Sequence, residues 1–151
     1  MADHADIDHT GLTGVGTSPG AWTTYTPTIG ASTTPPTIGN GVLTGRYKAI
    51  DSKTYVVIIY WEFGSTSNQG SGSYDFLLPN SVTSGPVDQV MSGHFLDASV
   101  PANYLLVGLV TASQTKVLRT YVEGVDAIGS GVPVNWATGD KLHLTGIIQV
   151  A

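Results

Sequence analysis

Apolar and polar residues alternate with a period of two along much of the chain after residue 42. The alternation is clearest in Leu43–Ile50, Ser71–Leu78 and Lys141–Val150. Such a period predicts β-strands that place one face against a core. Further strands are predicted at Thr54–Phe63, Val90–Ala98, Tyr104–Val110 and Lys116–Val122. With about eight strands and no helical periodicity, the sequence predicts an all-β fold, an antiparallel β-sandwich of jelly-roll type over residues 22–151.

Turn residues between these strands predict two hairpins. Asp51-Ser52 joins the strands on either side of it, and Thr111–Thr115 does the same later in the chain. The segment 23–41 is rich in Thr, Pro and Gly, which predicts loop with a short edge strand around Tyr25 and Ile29. The core is expected to contain these large side chains: Trp61, Tyr74, Phe76, Leu106, Leu142 and Leu144.

The strand Thr54–Phe63 is apolar on both of its faces. Trp61 and the residues at even spacing from it form one apolar row, and Val56, Ile58 and Tyr60 form a second. An isolated antiparallel sandwich exposes one face of such a strand to water. Either a long loop of the same chain or another subunit therefore covers the second row. We expect a subunit interface there, in a homotrimer, because closed symmetry is the usual arrangement of identical subunits.

The first 21 residues differ from the rest. They combine Asp and His with glycine-punctuated Thr and contain few apolar side chains. Such a segment cannot build a core, but it can become ordered along the surface of a partner. We therefore predict two parts: an extended N-terminal attachment arm at residues 1–21 and a β-sandwich domain at 22–151. The residues predicted to attach the arm are Ile7, His9, Leu12 and Val15.

Composition excludes several classes of function. Six Lys and Arg in a chain of net charge −5 argue against nucleic-acid binding. The absence of cysteine excludes disulfides, thiol catalysis and cysteine-ligated zinc. No apolar stretch approaches the ~20 residues that span a bilayer, so we expect no membrane association. The N-terminus has no basic region followed by an apolar segment, so we expect no secretion signal.

Few residues suggest chemistry. His4, Asp6, Asp8 and His9 are of metal-ligand type, but they lie in a glycine-flanked segment, which favours an acidic arm that makes polar contacts. In a threefold assembly, three copies of His4 or His9 could still converge on an axial ion. His94 and His143 both lie in predicted strands, and His143, which alternates with Lys141 and Thr145, is expected to face outward.

Other combinations resemble sites only superficially. Asp75 and Glu62 lie on strands and could pair as glycosidase carboxylates, although their flanking residues do not favour this. Gly11–Gly16 lacks the Lys and the following helix of a phosphate loop. A sugar-stacking platform is a further alternative, with core packing favoured for Trp61; its candidate aromatics are Trp22, Tyr25, Trp61, Tyr74 and Trp136. We expect no catalytic residue, cofactor or metal in the sandwich domain.

Four separated motifs carry a resemblance. They are Trp22-x-x-Tyr-Thr-Pro-Thr, Gly45-Arg46-Tyr47-Lys48, the segment from Gly70 to Pro79 (GSGSYDFLLP), and Trp136-Ala137-Thr138-Gly139-Asp140-x-Leu142. Together they resemble the β-sandwich domains of minor structural proteins of tailed bacteriophages, especially those of actinobacterial hosts. The leader around Asp6–Gly16 is similar to the attachment ends of phage head-decoration and tail-fibre proteins. The resemblance covers nearly the whole chain.

The resemblance implies a non-enzymatic protein on the outer surface of the virion. Such proteins are commonly trimeric, with the arm directed toward the particle, so the implied partner is the major capsid protein or another virion protein. We expect a capsid decoration subunit. The alternative is a receptor-binding domain of a tail fibre that binds host glycan through loop aromatics. The short chain favours decoration, because a fibre normally needs a long shaft.

Overall fold

The computed structural model describes residues 20–117, 119–122 and 126–151. Within these ranges ten strands form two antiparallel sheets, and a 3₁₀ turn spans Pro79–Ser81. The strands are β1 (Thr23–Tyr25), β2 (Ile29–Ala31), β3 (Val42–Ala49), β4 (Thr54–Glu62), β5 (Tyr74–Leu77), β6 (Gln89–Asp97), β7 (Ala102–Val110), β8 (Lys116–Val117), β9 (Arg119–Val122) and β10 (Lys141–Gln149). The predicted all-β sandwich is confirmed.

The strands divide seven to three between the sheets. The large sheet has the order β1-β3-β4-β10-β6-β7-β9, and the small sheet has the order β2-β5-β8. The hairpin predicted around Asp51-Ser52 is the β3–β4 pair, whose turn is fixed by a 2.7 Å hydrogen bond that the Lys53 N–H donates to Asp51 Oδ1. β4 and β10 lie at the centre of the large sheet and pair along nine residues each.

The core fills the space between the two sheets. Val57, Ile59 and Trp61 of β4 point into it from the large sheet, and Tyr74 and Phe76 of β5 point into it from the small sheet. All the side chains predicted for the core are at most 2% exposed. This follows from period-two alternation, because a strand with one buried face buries every second residue.

The predicted strand Lys116–Val122 is wrong in one respect. It is two strands in different sheets: β8 pairs with β5, and β9 pairs with β7. Val117, Thr120 and Val122 are all buried, although a single strand cannot point residues 117 and 120 to the same side. The buried residues are odd-numbered in β8 and even-numbered in β9, and this change accompanies the crossing between the sheets. The sequence does not show the change, because Thr120 is polar and a buried position is usually apolar.

The four motifs that carry the resemblance pack in two pairs. Tyr25 lies opposite Gly45 in the β1–β3 pair, where a Cβ at residue 45 would overlap the Tyr25 ring. One position along, the Arg46 guanidinium lies 5.3 Å from the centre of the Trp22 ring. In the second pair, the rings of Tyr74 and Trp136 meet edge to face at 5.7 Å. These motifs therefore have a structural explanation in this chain.

The loop before β10 is closed by a buried carboxylate. Asp140 is fully buried and accepts backbone hydrogen bonds from Ala98 at 2.9 Å and from Ala137 at 2.8 Å. Gly139, with a φ of +93°, supplies the left-handed turn that precedes it. This arrangement holds Trp136 against Trp61, with the rings stacked at 4.4 Å.

Candidate interaction surface

The side of the large sheet that faces away from the small sheet is defined here as the outer face. It contains the alternate residues of each strand that point away from the core. On β4 these are Val56, Ile58 and Tyr60, the three residues predicted to form a subunit interface. Their cross-strand neighbours on β10 are Ile147, Thr145 and His143, in that order.

Exposed apolar side chains are concentrated on the outer face. Of the ten large hydrophobic residues that are exposed in the described ranges, six lie on it. They are Val42, Val90, Leu105, Val107, Tyr121 and Ile147. Leu105 is 66% exposed and Ile147 is 59% exposed. The row on β4 is only part of this surface. The segment 104–110 of β7 is also apolar on both faces, a signal that the sequence prediction missed, whereas Ile147 belongs to a strand whose other outward residues are polar.

The apolar residues form two areas on either side of a polar centre. One area lies on β4 and β10, where Ile147 pairs with the half-buried Val56. The other lies on β7 and β9, where Leu105, Val107 and Tyr121 line an apolar groove of about 290 Å³. Large apolar areas exposed on a soluble domain mark places where another molecule binds.

The polar centre consists of a histidine pair and its neighbours. His94 of β6 lies directly opposite His143 of β10, and their ring centres are 5.5 Å apart. The Tyr60 ring meets His143 edge to face at 5.1 Å, and its hydroxyl donates a 2.6 Å hydrogen bond to Glu62. Lys141 Nζ lies 3.8 Å from the same carboxylate. His143 faces outward as predicted, and His94 does so as well; both are exposed.

The neighbours of these groups shift their pKa values. Partial burial and the nearby His94 lower the pKa of His143 below 6.5, which favours the neutral imidazole near pH 7. Partial burial, followed by the hydrogen bond to Glu62, raises the pKa of Tyr60 to about 12. The Tyr60 hydroxyl therefore remains a hydrogen-bond donor under physiological conditions.

The predicted attachment residues Ile7, His9, Leu12 and Val15 lie outside the described residues, as do the other acidic and histidine side chains of the arm. The structure thus places only one of the two predicted sets of contact residues, the row on β4. Its members Val56, Ile58 and Tyr60 are half-buried in the chain by itself. Their further burial by a second subunit remains a prediction.

The suggested carboxylate pair is not formed. Glu62 lies on the outer face of the large sheet, next to Tyr60 and Lys141. Asp75 belongs to β5 of the small sheet and accepts a 2.8 Å hydrogen bond from Lys116. The two carboxylates are on different sheets, and each has its own partner. The notion of a glycosidase pair is wrong for this reason.

Most of the aromatic residues considered as a sugar-stacking platform are in the core. Trp61 and Tyr74 are fully buried, and Trp136 is 6% exposed and donates a 3.0 Å hydrogen bond from its ring to the Gly129 carbonyl. Trp136, left open between two roles by the sequence, thus packs in the core. Tyr25 is half-buried against the core, and Trp22 is 40% exposed.

A polar pocket of about 280 Å³ lies beside the small sheet. It is lined by Ser32, Ser73, Asp75, Arg119, Asp126 and Ala127. Within the described ranges, no three His, Cys, Asp or Glu side chains converge as a metal site. In those ranges no helix has the length and apolar character to cross a membrane.

Comparisons of the chain with protein-family models, curated proteins and solved structures gave no match.

Proposed function

We propose that this chain is a non-enzymatic structural subunit of a tailed phage, a capsid decoration protein that associates with its own copies through the outer face. The observation that carries the proposal is the concentration of exposed apolar side chains on that face. The resemblance in the four motifs supplies the phage setting and the location on the outer surface of the virion.

The outer face suits a contact between large, flat surfaces. Its apolar areas extend across the sheet from Ile147 to Leu105, and the polar centre offers hydrogen-bond donors and acceptors for orientation. An apolar surface with interspersed polar groups is the usual composition of an oligomer interface. Closed threefold symmetry, as in the proteins that the motifs resemble, gives the homotrimer, with Val56, Ile58 and Tyr60 at its contact.

Sedimentation of matched variants tests this association. Ile147 on the outer face and Val87 in the loop before β6 are both 59% exposed. Ile147→Asp should convert trimers to monomers, because an uncompensated carboxylate would be buried in the contact. Val87→Asp introduces the same charge at equal exposure outside the contact and should leave the trimer intact. Ile58→Asp should act like Ile147→Asp.

Two outcomes would contradict the association. Wild-type chain that sediments as a monomer at micromolar concentration contradicts it directly. If Ile147→Asp and Val87→Asp sediment as the same oligomer, the contact between subunits does not lie on the outer face. Circular dichroism of each variant distinguishes a lost contact from a lost fold.

Attachment to the particle is proposed to occur through the arm. The Gly20 N–H donates a 2.9 Å hydrogen bond to the Ala49 carbonyl, so a deletion of residues 2–19 leaves the first described contact in place. The truncated chain should fold and form trimers but should not bind undecorated phage heads in a pelleting assay. Full occupancy by the truncated chain would transfer the anchoring role to the sandwich.

A tail-fibre receptor-binding domain remains the second candidate. The polar pocket favours it, since hydroxyl, carboxylate and guanidinium groups are suited to a sugar. Immunogold electron microscopy of virions separates the two candidates, because label on the head supports decoration and label on the tail supports receptor binding. The fibre is favoured if the wild-type chain binds glycan but does not bind phage heads, and if Asp75→Ala abolishes the glycan binding.

A further inference from the structure

The facing histidines on the outer face form a geometry suited to a ligand. His94 and His143 occupy directly opposed positions on neighbouring antiparallel strands. Directly opposed side chains have Cβ atoms about 4.5–5.5 Å apart. Their ring centres lie 5.5 Å apart, and the ring planes are inclined by 52°. At this separation one ion between the rings can bind a nitrogen of each.

The backbone beside the pair holds the two strands in register and close together. Gly93 precedes His94 and lies opposite Leu144. A Cβ at residue 93 would overlap the backbone carbonyl oxygen of His143. Glycine is therefore required at residue 93, and its backbone is set directly against the residue that carries the partner ring. The pair is thus positioned by the sheet itself rather than by flexible loops.

The surroundings leave the rings accessible. Both histidines are exposed, and the nearby carboxylate of Glu62 is engaged by Tyr60 and Lys141. No third His, Cys, Asp or Glu of the described ranges joins the pair. A bound ion would therefore have two imidazole ligands and complete its coordination with water. Imidazole ligands suit Zn²⁺, Ni²⁺ and Cu²⁺ and do not suit Mg²⁺ or Ca²⁺.

We propose that His94 and His143 form a two-imidazole binding site for one divalent transition-metal ion of the zinc, nickel and copper class. The site is distinct from the arm histidines His4 and His9. Both ligands belong to a single chain, so the site needs no second copy. Because the proposed contact would cover the polar centre, each titration described below is repeated in the Ile147→Asp background, which leaves the site uncovered.

Calorimetric titration with NiCl₂ at pH 7.5 tests the site. Four forms of the full chain are compared: wild type, His94→Gln, His143→Gln and the double variant His4→Gln/His9→Gln. Linking two binding groups strengthens binding by on the order of 100-fold over either group by itself. Each single variant on the sheet should therefore bind about 100-fold more weakly than wild type, and the arm variant should bind like wild type.

Thermal unfolding gives a second readout. A ligand that binds only the folded chain raises the midpoint of unfolding, so excess Ni²⁺ should raise it for wild type and for the arm variant. It should leave His94→Gln and His143→Gln unchanged. Because both rings are exposed, these two variants should have wild-type midpoints without metal.

Three results would overturn the proposal. The first is nickel binding that is unaltered in both His94→Gln and His143→Gln. The second is binding that disappears in His4→Gln/His9→Gln. The third is wild-type binding no tighter than that of either single variant, since chelation by both rings is then absent.

Discussion

The two faces of the large sheet are built from the same strands but differ in what surrounds them. On β4, Val57, Ile59 and Trp61 point inward and are fully buried, whereas Val56, Ile58 and Tyr60 point outward and are half-buried. Both rows are apolar. The inner row is explained by the small sheet, which covers it. No second sheet of the described residues covers the outer row, which is the row that we propose a partner subunit covers. Equal hydrophobicity on the two sides of one strand is thus explained by the fold on the inner side and, in our proposal, by association on the outer side.

The largest expected effect belongs to the inner face. Trp61 is fully buried and packs against Trp136, Tyr74 and Phe63. Trp61→Ala should lower the free energy of unfolding by about 3–5 kcal/mol, because it leaves a cavity. Trp61→Phe should cost less, since it keeps most of the packing and removes a ring N–H that has no hydrogen-bond partner among the described residues. Urea denaturation measures both, and a loss below 1 kcal/mol for the alanine variant would contradict this account.

The next effect concerns the buried carboxylate that closes the loop before β10. Asp140→Ala removes the acceptor of the Ala98 and Ala137 N–H groups. It should cost about 1–3 kcal/mol, because buried donors lose their partner. Asp140→Asn serves as control, since its one amide oxygen restores an acceptor and should recover part of the loss. Equal stability of the wild-type and alanine chains in urea would argue against this role.

A smaller effect is expected at the β1 edge of the large sheet, where Arg46 lies over Trp22. A double-mutant cycle with Trp22→Ala and Arg46→Ala should give a coupling of about 0.5–1 kcal/mol, which is typical of an exposed cation–π contact. Arg46→Lys should retain part of it. A coupling indistinguishable from zero would show that the two motifs contribute independently.

The smallest effect at neutral pH concerns Asp97, at the inner side of the end of β6. The Ser99 hydroxyl donates a 2.6 Å hydrogen bond to its carboxylate and lowers its pKa below 3.8. A lowered pKa in the folded state gives stability that is present above pH 3.8 and is lost as the pH falls through the folded value. Ser99→Ala should therefore raise the midpoint pH of acid unfolding. An unchanged midpoint would exclude the contribution.

The fold class and the long strands could be predicted from the sequence, because a strand with one buried face shows alternating apolar and polar residues. The sequence predicted Trp61 and Tyr74 in the core for the same reason. It did not predict the crossing between β8 and β9, because the buried Thr120 is polar and its parity cannot be read from hydrophobicity. It did not predict β2 of the small sheet as a separate strand, since three residues between prolines and glycines give no period.

The outer face was predicted only on β4, where the second apolar row contains Val56, Ile58 and Tyr60. Leu105 lies on β7, which is likewise apolar on both faces over residues 104–110, so its signal was present in the sequence and was missed. Ile147 is the one apolar residue among the outward positions of β10, and only the sheet order brings it onto the same side as the others. The facing of His94 and His143 depends on the register of two strands whose facing histidines are 49 residues apart along the chain, and no local pattern encodes that register.

A single residue separates β8 of the small sheet from β9 of the large sheet. The small sheet consists of strands of three, four and two residues, too short for independent stability. It persists only while it covers the inner row of the large sheet. Opening either sheet therefore exposes the other, so the two layers behave as one cooperative unit in hydrogen exchange. The slowest amides of β5 and β4 should therefore exchange with the same free energy of opening, because the two sheets unfold together.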